Sequence, residues 1–115
     1  MAWGIAIRNT LLTSVLTDCR VSLHTGDPGI TGAAEVVGGS YARQTPTFGA
    51  PANAAATTTA PVAFAGMPAC TVTHAGVWTP AGVWVNGGPL ALSKTVNAGD
   101  TCDLATGEID FLMDP

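Results

Sequence analysis

The chain has 115 residues, 47% of them hydrophobic and only 10% charged, with eight acids against four bases and a net charge of −4. That length gives one domain with a real core and no room for two, and a charged share far below the usual ~25% means that the outside is either covered in an assembly or built of Thr, Ser, Asn, Ala and Gly. Arg8, Arg20, Arg43 and Lys94 are scattered, which excludes a phosphate-neutralising stripe and a basic membrane-surface helix, and Cys19, Cys70 and Cys102 lie far apart with no Cys-x-x-Cys pair, which excludes a zinc ribbon or a thioredoxin-like site.

Residues 3–17 are predicted to form the one helix. Ile7, Leu11 and Val15 recur at helical spacing, Leu12 and Leu16 widen the stripe, and Arg8, Asn9, Thr13 and Ser14 take the other side. So short a helix does not persist alone in water. Its stripe, with Trp3 at its start, therefore covers either the domain's own sheet or a neighbouring subunit. The stretch before Cys19 does not fit a lipoprotein signal, because residues 1–7 carry no basic side chain and Asp18 precedes the cysteine. No uncharged apolar run approaches the ~18 residues of a spanning helix, and the expectation is a product of cytoplasmic translation.

Beyond the helix the period shortens to two. Residues 20–24 alternate as a half-buried strand does, and Gly26-Asp27-Pro28-Gly29 is a turn. Residues 30–40 read as a loop in which Glu35-Val36-Val37 pairs briefly, and 41–48 as a strand with Pro46 on an edge or at a bulge. The biased segment 49–60 connects to a strand at 62–64. The clearest strand spans 70–78. Strands follow at 83–85, at 90–92 after a turn at Asn86-Gly87-Gly88-Pro89, at 101–104, and from 108 to 113. The pattern predicts a single mainly-β domain over 1–115: a helix within 1–18, then an antiparallel β-sandwich or jelly-roll-like barrel over 19–115.

Chemistry-bearing residues are sparse. His24 and His74 are the only histidines, with no His-x-His or His-Glu-x-x-His spacing, so hydrogen bonding to backbone or a place at an interface outweighs a catalytic or metal role. Asp27 with Glu35 supplies too few carboxylates for calcium, and a turn-capping Asp27 is the simpler reading. Asp100, Asp103, Glu108, Asp110 and Asp114 crowd the C-terminal end as a solvated strand face or an acidic patch for a basic partner. Ser40 lacks a nucleophile-elbow context. The cysteines read as buried small apolar residues, with a Cys70–Cys102 bridge as the alternative. Trp78 and Trp84 flank one hairpin-like connection and fit a core, an interface hot spot or a sugar-stacking surface. Tyr41 and Arg43, after Gly38-Gly39, fit an exposed anchor for a partner.

Three stretches carry a resemblance. They are the N-terminal helix leading into Val21-Ser22-Leu23-His24-Thr25-Gly26-Asp27-Pro28-Gly29, then Gly38-Gly39-Ser40-Tyr41-Ala42-Arg43-Gln44, and finally Val72-Thr73-His74-Ala75-Gly76-Val77-Trp78 with the later segment running from Leu90 to Thr101. Together, in this order, they resemble a family of small β-rich virion structural proteins of tailed bacteriophages, described variously as tail-fibre, minor tail or capsid accessory proteins. The resemblance implies a virion component with no enzymatic role.

The expectation is thus a non-enzymatic phage virion structural protein, made in the host bacterial cytoplasm and placed as an accessory subunit on the particle exterior. Capsid decoration is favoured, since one compact domain without a coiled coil suits a lattice cap. The alternative is a minor tail or tail-fibre-associated protein that binds a host-surface glycan or protein. Expected partners are phage capsid or tail proteins and further copies of the chain in a symmetric oligomer, with no nucleic acid, membrane or cofactor. No residue is assigned to catalysis or metal binding. The expected interface residues are Trp3, Ile7, Leu11, Tyr41, Arg43, Trp78 and Trp84.

Overall fold

The computed structural model describes residues 4–53 and 55–112; Trp3, Met113 and Asp114 lie outside the described residues. The order is one helix, α1 (Ile5–Leu16), followed by strands β1 (Arg20–His24), β2 (Ala55–Thr57), β3 (Val62–Phe64), β4 (Cys70–Trp78), β5 (Trp84–Val96), β6 (Cys102–Leu104) and β7 (Asp110–Leu112). All pairing is antiparallel among the described residues: β1-β4-β5 form one sheet, and β2-β7 and β3-β6 form two ribbons. The expected mainly-β architecture with one helix near the N-terminus is what the chain adopts.

The core shows why these segments pair. Val21 and Leu23 of β1, Val72 of β4 and Val96 of β5 pack with Val62 and Phe64 of β3, Cys102 and Leu104 of β6, and Val36, Met67 and Ile109 from the connections. One face of the three-stranded sheet is thereby closed by the β3–β6 ribbon. Cys19, Cys70 and Cys102 are free thiols. Burial pushes all three up from the ordinary thiol range, which keeps them protonated and unreactive.

α1 is weakly anchored. Gly4 at its N-cap makes no side-chain cap bond, and neither an acid in the first turn nor a base in the last complements the helix dipole. Hydroxyls of Thr10, Thr13 and Thr17 donate back to the carbonyls of Ala6, Asn9 and Thr13. The helix touches the rest of the fold near β2. Of its expected stripe only Leu12 is fully buried; Leu11, Val15 and Leu16 are half-buried, and Ile5 and Ile7 are each 51% exposed.

Three elements depart from expectation. Asn86-Gly87-Gly88-Pro89 is no turn: Asn86, Gly87, Gly88 and Pro89 face Val77, Gly76, Ala75 and His74 in one continuous β5. The glycine at 87 serves close approach, since a Cβ there would lie 2.8 Å from both the Ala75 carbonyl oxygen and the Trp84 ring. Pro89 is tolerated because β5 is a sheet edge. The expected connection at Thr79-Pro80-Ala81-Gly82 does reverse the chain just before β5: Thr79 N–H donates to the Val83 carbonyl (2.8 Å) and Thr79 Oγ1 accepts from Val83 N–H (3.0 Å). Second, residues 41–48 form no strand, only isolated bridges at Gln44 to Val21 and Phe48 to Thr58; Pro46 between them has no N–H for a ladder. Third, segment 49–60, whose composition predicts only a connection, contains β2, which gains its partner, β7, from the far end of the chain.

β5 also carries a large bulge. The register jumps from His74↔Pro89 to Val72↔Lys94, so that Thr73 alone stands opposite residues 90–93. Within that bulge Leu92 is 79% exposed, and just beyond it Lys94 Nζ pairs with Glu108 Oε2 at 3.2 Å.

Phe64 is fully buried at the centre of the core. Phe64→Ala is expected to cost about 3–5 kcal/mol in urea unfolding, whereas Leu92→Ala is expected to change stability by no more than about 0.5 kcal/mol.

Candidate functional site

The side of β1 turned away from the core is not solvated, although alternation predicts a half-buried strand. Val21 through His24 are all buried, because residues 25–35 fold back over the outer face. Ser22 and His24 point to that face, and both are 0% exposed.

Their hydrogen bonds form a directed chain. Trp78 Nε1–H, which can only donate, reaches Ser22 Oγ at 2.8 Å. The single Ser22 hydroxyl proton then goes to His24 Nε2 at 2.7 Å, and His24 Nδ1 carries the ring proton that is donated to the Ala33 carbonyl at 2.7 Å. The tautomer follows from the carbonyl, which can only accept. Burial, the largest influence, pushes the His24 imidazole below the ordinary histidine value, against the bond to Ala33 and the pull of Glu35. The Ser–His pair resembles a nucleophile with its base, but neither group reaches solvent, so the arrangement fastens residues 25–34 to the sheet.

The two tryptophans are packed beside this chain. Trp84 meets Trp78 edge to face (ring centroids 5.0 Å apart) and His24 likewise (5.5 Å). Three glycines make room for the rings. A Cβ on Gly76 would lie 2.4 Å from Trp84, one on Gly87 2.8 Å from it, and one on Gly32 would meet both indoles at under 3 Å, with φ at +78°.

Arg43 and Tyr41 complete the cluster through Glu35. The Glu35 carboxylate accepts from Arg43 Nε (3.0 Å) and its terminal nitrogen (2.9 Å) as a fork, and from the Tyr41 hydroxyl (2.7 Å). Tyr41 Oη also accepts the Leu23 N–H (3.0 Å), and its ring stacks on Phe64. The Arg43 guanidinium lies 3.6 Å over the Trp78 ring, a cation–π contact. Burial pushes Glu35 up, but the bonds from Arg43 and Tyr41 and the charge of Arg43 outweigh it and hold the carboxyl below its usual range. Burial raises the Tyr41 phenol far above its ordinary value, and the bond to Glu35 adds to that.

Tyr41, Arg43, Trp78 and Trp84 are thus brought together, each half-buried. Ile7 and Leu11 lie apart on α1. Glu35 and Ser22 tie the cluster to β1, and the sequence reading singled out neither for that role; the signal was a lone acid in the 30–40 loop a few residues before a lone cation. Asp27 bonds the Gly29 N–H (2.9 Å), so it and Glu35 serve different partners. His74 bonds the Thr73 hydroxyl at 2.8 Å. Among the described residues no group of three or more His, Cys, Asp or Glu is placed to hold a metal ion. A cleft of about 220 Å³ between β4, β5 and Ile109 includes Glu108, which is already engaged by Lys94 and the Ala105 N–H.

Two outcomes are expected. Because its folded-state value is depressed, Glu35 adds stability above about pH 4.5 that is lost as pH falls through that lower value. Glu35→Gln is expected to cost about 1–2 kcal/mol at neutral pH, a deficit that shrinks in urea titrations at about pH 3. Gly76→Ala drives a methyl into Trp84 and is expected to cost about 1–3 kcal/mol, with altered near-ultraviolet circular dichroism from the indoles.

Set beside known proteins, the family model described as Podophage GP4 fiber I protein gp80 matches residues 4–111. No curated protein matches the chain. That description speaks of a fibre, so the tail-fibre alternative gains support and capsid decoration finds none.

Proposed function

The chain belongs to the podophage GP4 fiber I protein gp80 family, small phage virion structural proteins related to tail fibres, and from that premise we propose that it is a non-enzymatic structural subunit of the fibre. Made in the host cytoplasm, it docks on fibre or tail proteins of the particle and on further copies of itself. The carrying observation is the cluster just described. On a chain with 10% charge, Tyr41, Arg43, Trp78 and Trp84 are gathered, with Glu35 fastening Tyr41 and Arg43, Arg43 lying over Trp78, and Trp78 packed on Trp84. Trp, Tyr and Arg dominate interface hot spots, and pre-ordered side chains lose little entropy on docking. Ile7 and Leu11 of α1, with Ile5, supply a second apolar contact, to which Trp3 is added as an expectation. The burial of Ser22 and His24 supports the absence of catalysis, and the scattered bases support the absence of nucleic-acid binding.

Purified chain is expected to co-sediment with isolated phage tails and to self-associate in light scattering. Arg43→Ala, which removes the cation lying over Trp78, is expected to weaken tail binding about tenfold or more. Binding to host-surface glycans alone, with none to tails, would favour receptor recognition and sink the docking reading.

A further inference from the structure

We propose that the Trp78–Ser22–His24–Ala33 chain is an acid-released clasp: a second proton on the His24 ring lifts residues 25–34 and uncovers Trp78 and Trp84. The proton comes from solvent and lands on Nε2, the ring nitrogen that accepts in the neutral form. Nε2–H then faces Ser22 Oγ, which already accepts the Trp78 N–H. Ser22 must turn its own proton away, and the two partners described for that oxygen are both donors in this state. A fully buried site is left with a charge and an unmatched hydroxyl. The bond to Ala33 survives and, donated by a cation, strengthens. The clasp opens because the cost of an unhydrated imidazolium and the unmatched Ser22 hydroxyl outweighs that gain, and hydration is reached only if residues 25–34 move off the sheet.

The groups facing His24 do not rescue the charge. Glu35, bridged to it on one side, favours the imidazolium but is forked by Arg43 and bonded by Tyr41. Arg43 and His74, the latter directly opposite on β4, oppose it, and β5 contributes the uncharged Trp84. Apart from the buried Pro28 ring and the close approach of Gly32 to the indoles, the segment has few backbone ties. Its backbone bonds to β1 and the adjoining residue run from Thr25 N–H to Ala34 and from Val36 N–H to Leu23. Ala34 sits at φ +61°, a conformation an alanine holds only under constraint, and Ile30 is 93% exposed. That the uncovered indoles change docking rests on the interface reading above; the opening itself is measured without a partner, so the two fail separately.

The test is proton exchange by NMR on the full chain between about pH 7.5 and about pH 5. Corrected for intrinsic rates, protection of the Trp78 indole N–H and of the Thr25 and Val36 amides is expected to fall about tenfold or more. The amides of Val72 and Val77 should stay protected, with a reversible one-proton midpoint below that of free histidine. His24→Gln is expected to abolish the transition and His74→Gln to keep it. No loss of protection down to about pH 5, loss across the whole sheet at once, or a transition that follows His74 instead overturns the clasp. The wild-type measurement decides even if His24→Gln does not fold.

Discussion

Ser22 and His24 lie on the face of β1 turned away from the core, yet neither touches solvent, and satisfying them dictates where neighbouring parts of the molecule go. An indole N–H must stand over the serine, and a carbonyl must stand over the far side of the imidazole. The first demand fixes Trp78 and, by ring contact, Trp84. The second brings residues 25–34 back across the sheet. Glycine at 32, 76 and 87 is then the only residue type that leaves space for the rings. A buried polar network of this kind rigidifies when every member is matched.

The same demand explains how a charge-poor chain orders a cation. Arg43 is stacked on Trp78, whose position the serine sets, and is forked by Glu35, which sits across an isolated bridge from His24. Tyr41 links this pair to the core, with its ring on Phe64 and its hydroxyl on Glu35. The outer layer and the hydrophobic interior are therefore coupled through a few side chains, with Tyr41, Arg43 and Trp78 on that coupling.

Much of the architecture could be read from residue pattern. The alternation at 20–24 and 70–78 locates β1 and β4, and the antiparallel, mainly-β class follows from short runs punctuated by Gly and Pro. What stayed hidden depends on partners distant in the chain. Gly87-Gly88-Pro89 has the composition of a turn, yet its glycines answer to Trp84 and the Ala75 carbonyl and its proline to an open edge. Ala55–Thr57 has no strand signature of its own; β7 confers it. Tyr41 and Arg43 stood out as residue types, but that Glu35 fastens them depends on the fold of the intervening loop. Burial of both faces of β1 contradicts its own alternation for the same reason: the cover comes from elsewhere.

One property of β5 bears on unwanted association between copies of the chain. It is the longest strand, and on one side it has no neighbouring strand among the described residues. A straight border of that length is a template on which identical molecules can stack without limit. Here a residue lacking an N–H, a pucker at 90–93 and an ammonium group interrupt it in succession. A second copy of the chain laid along β5 thus meets a broken seam in place of a continuous ladder edge, which blocks endless backbone lamination.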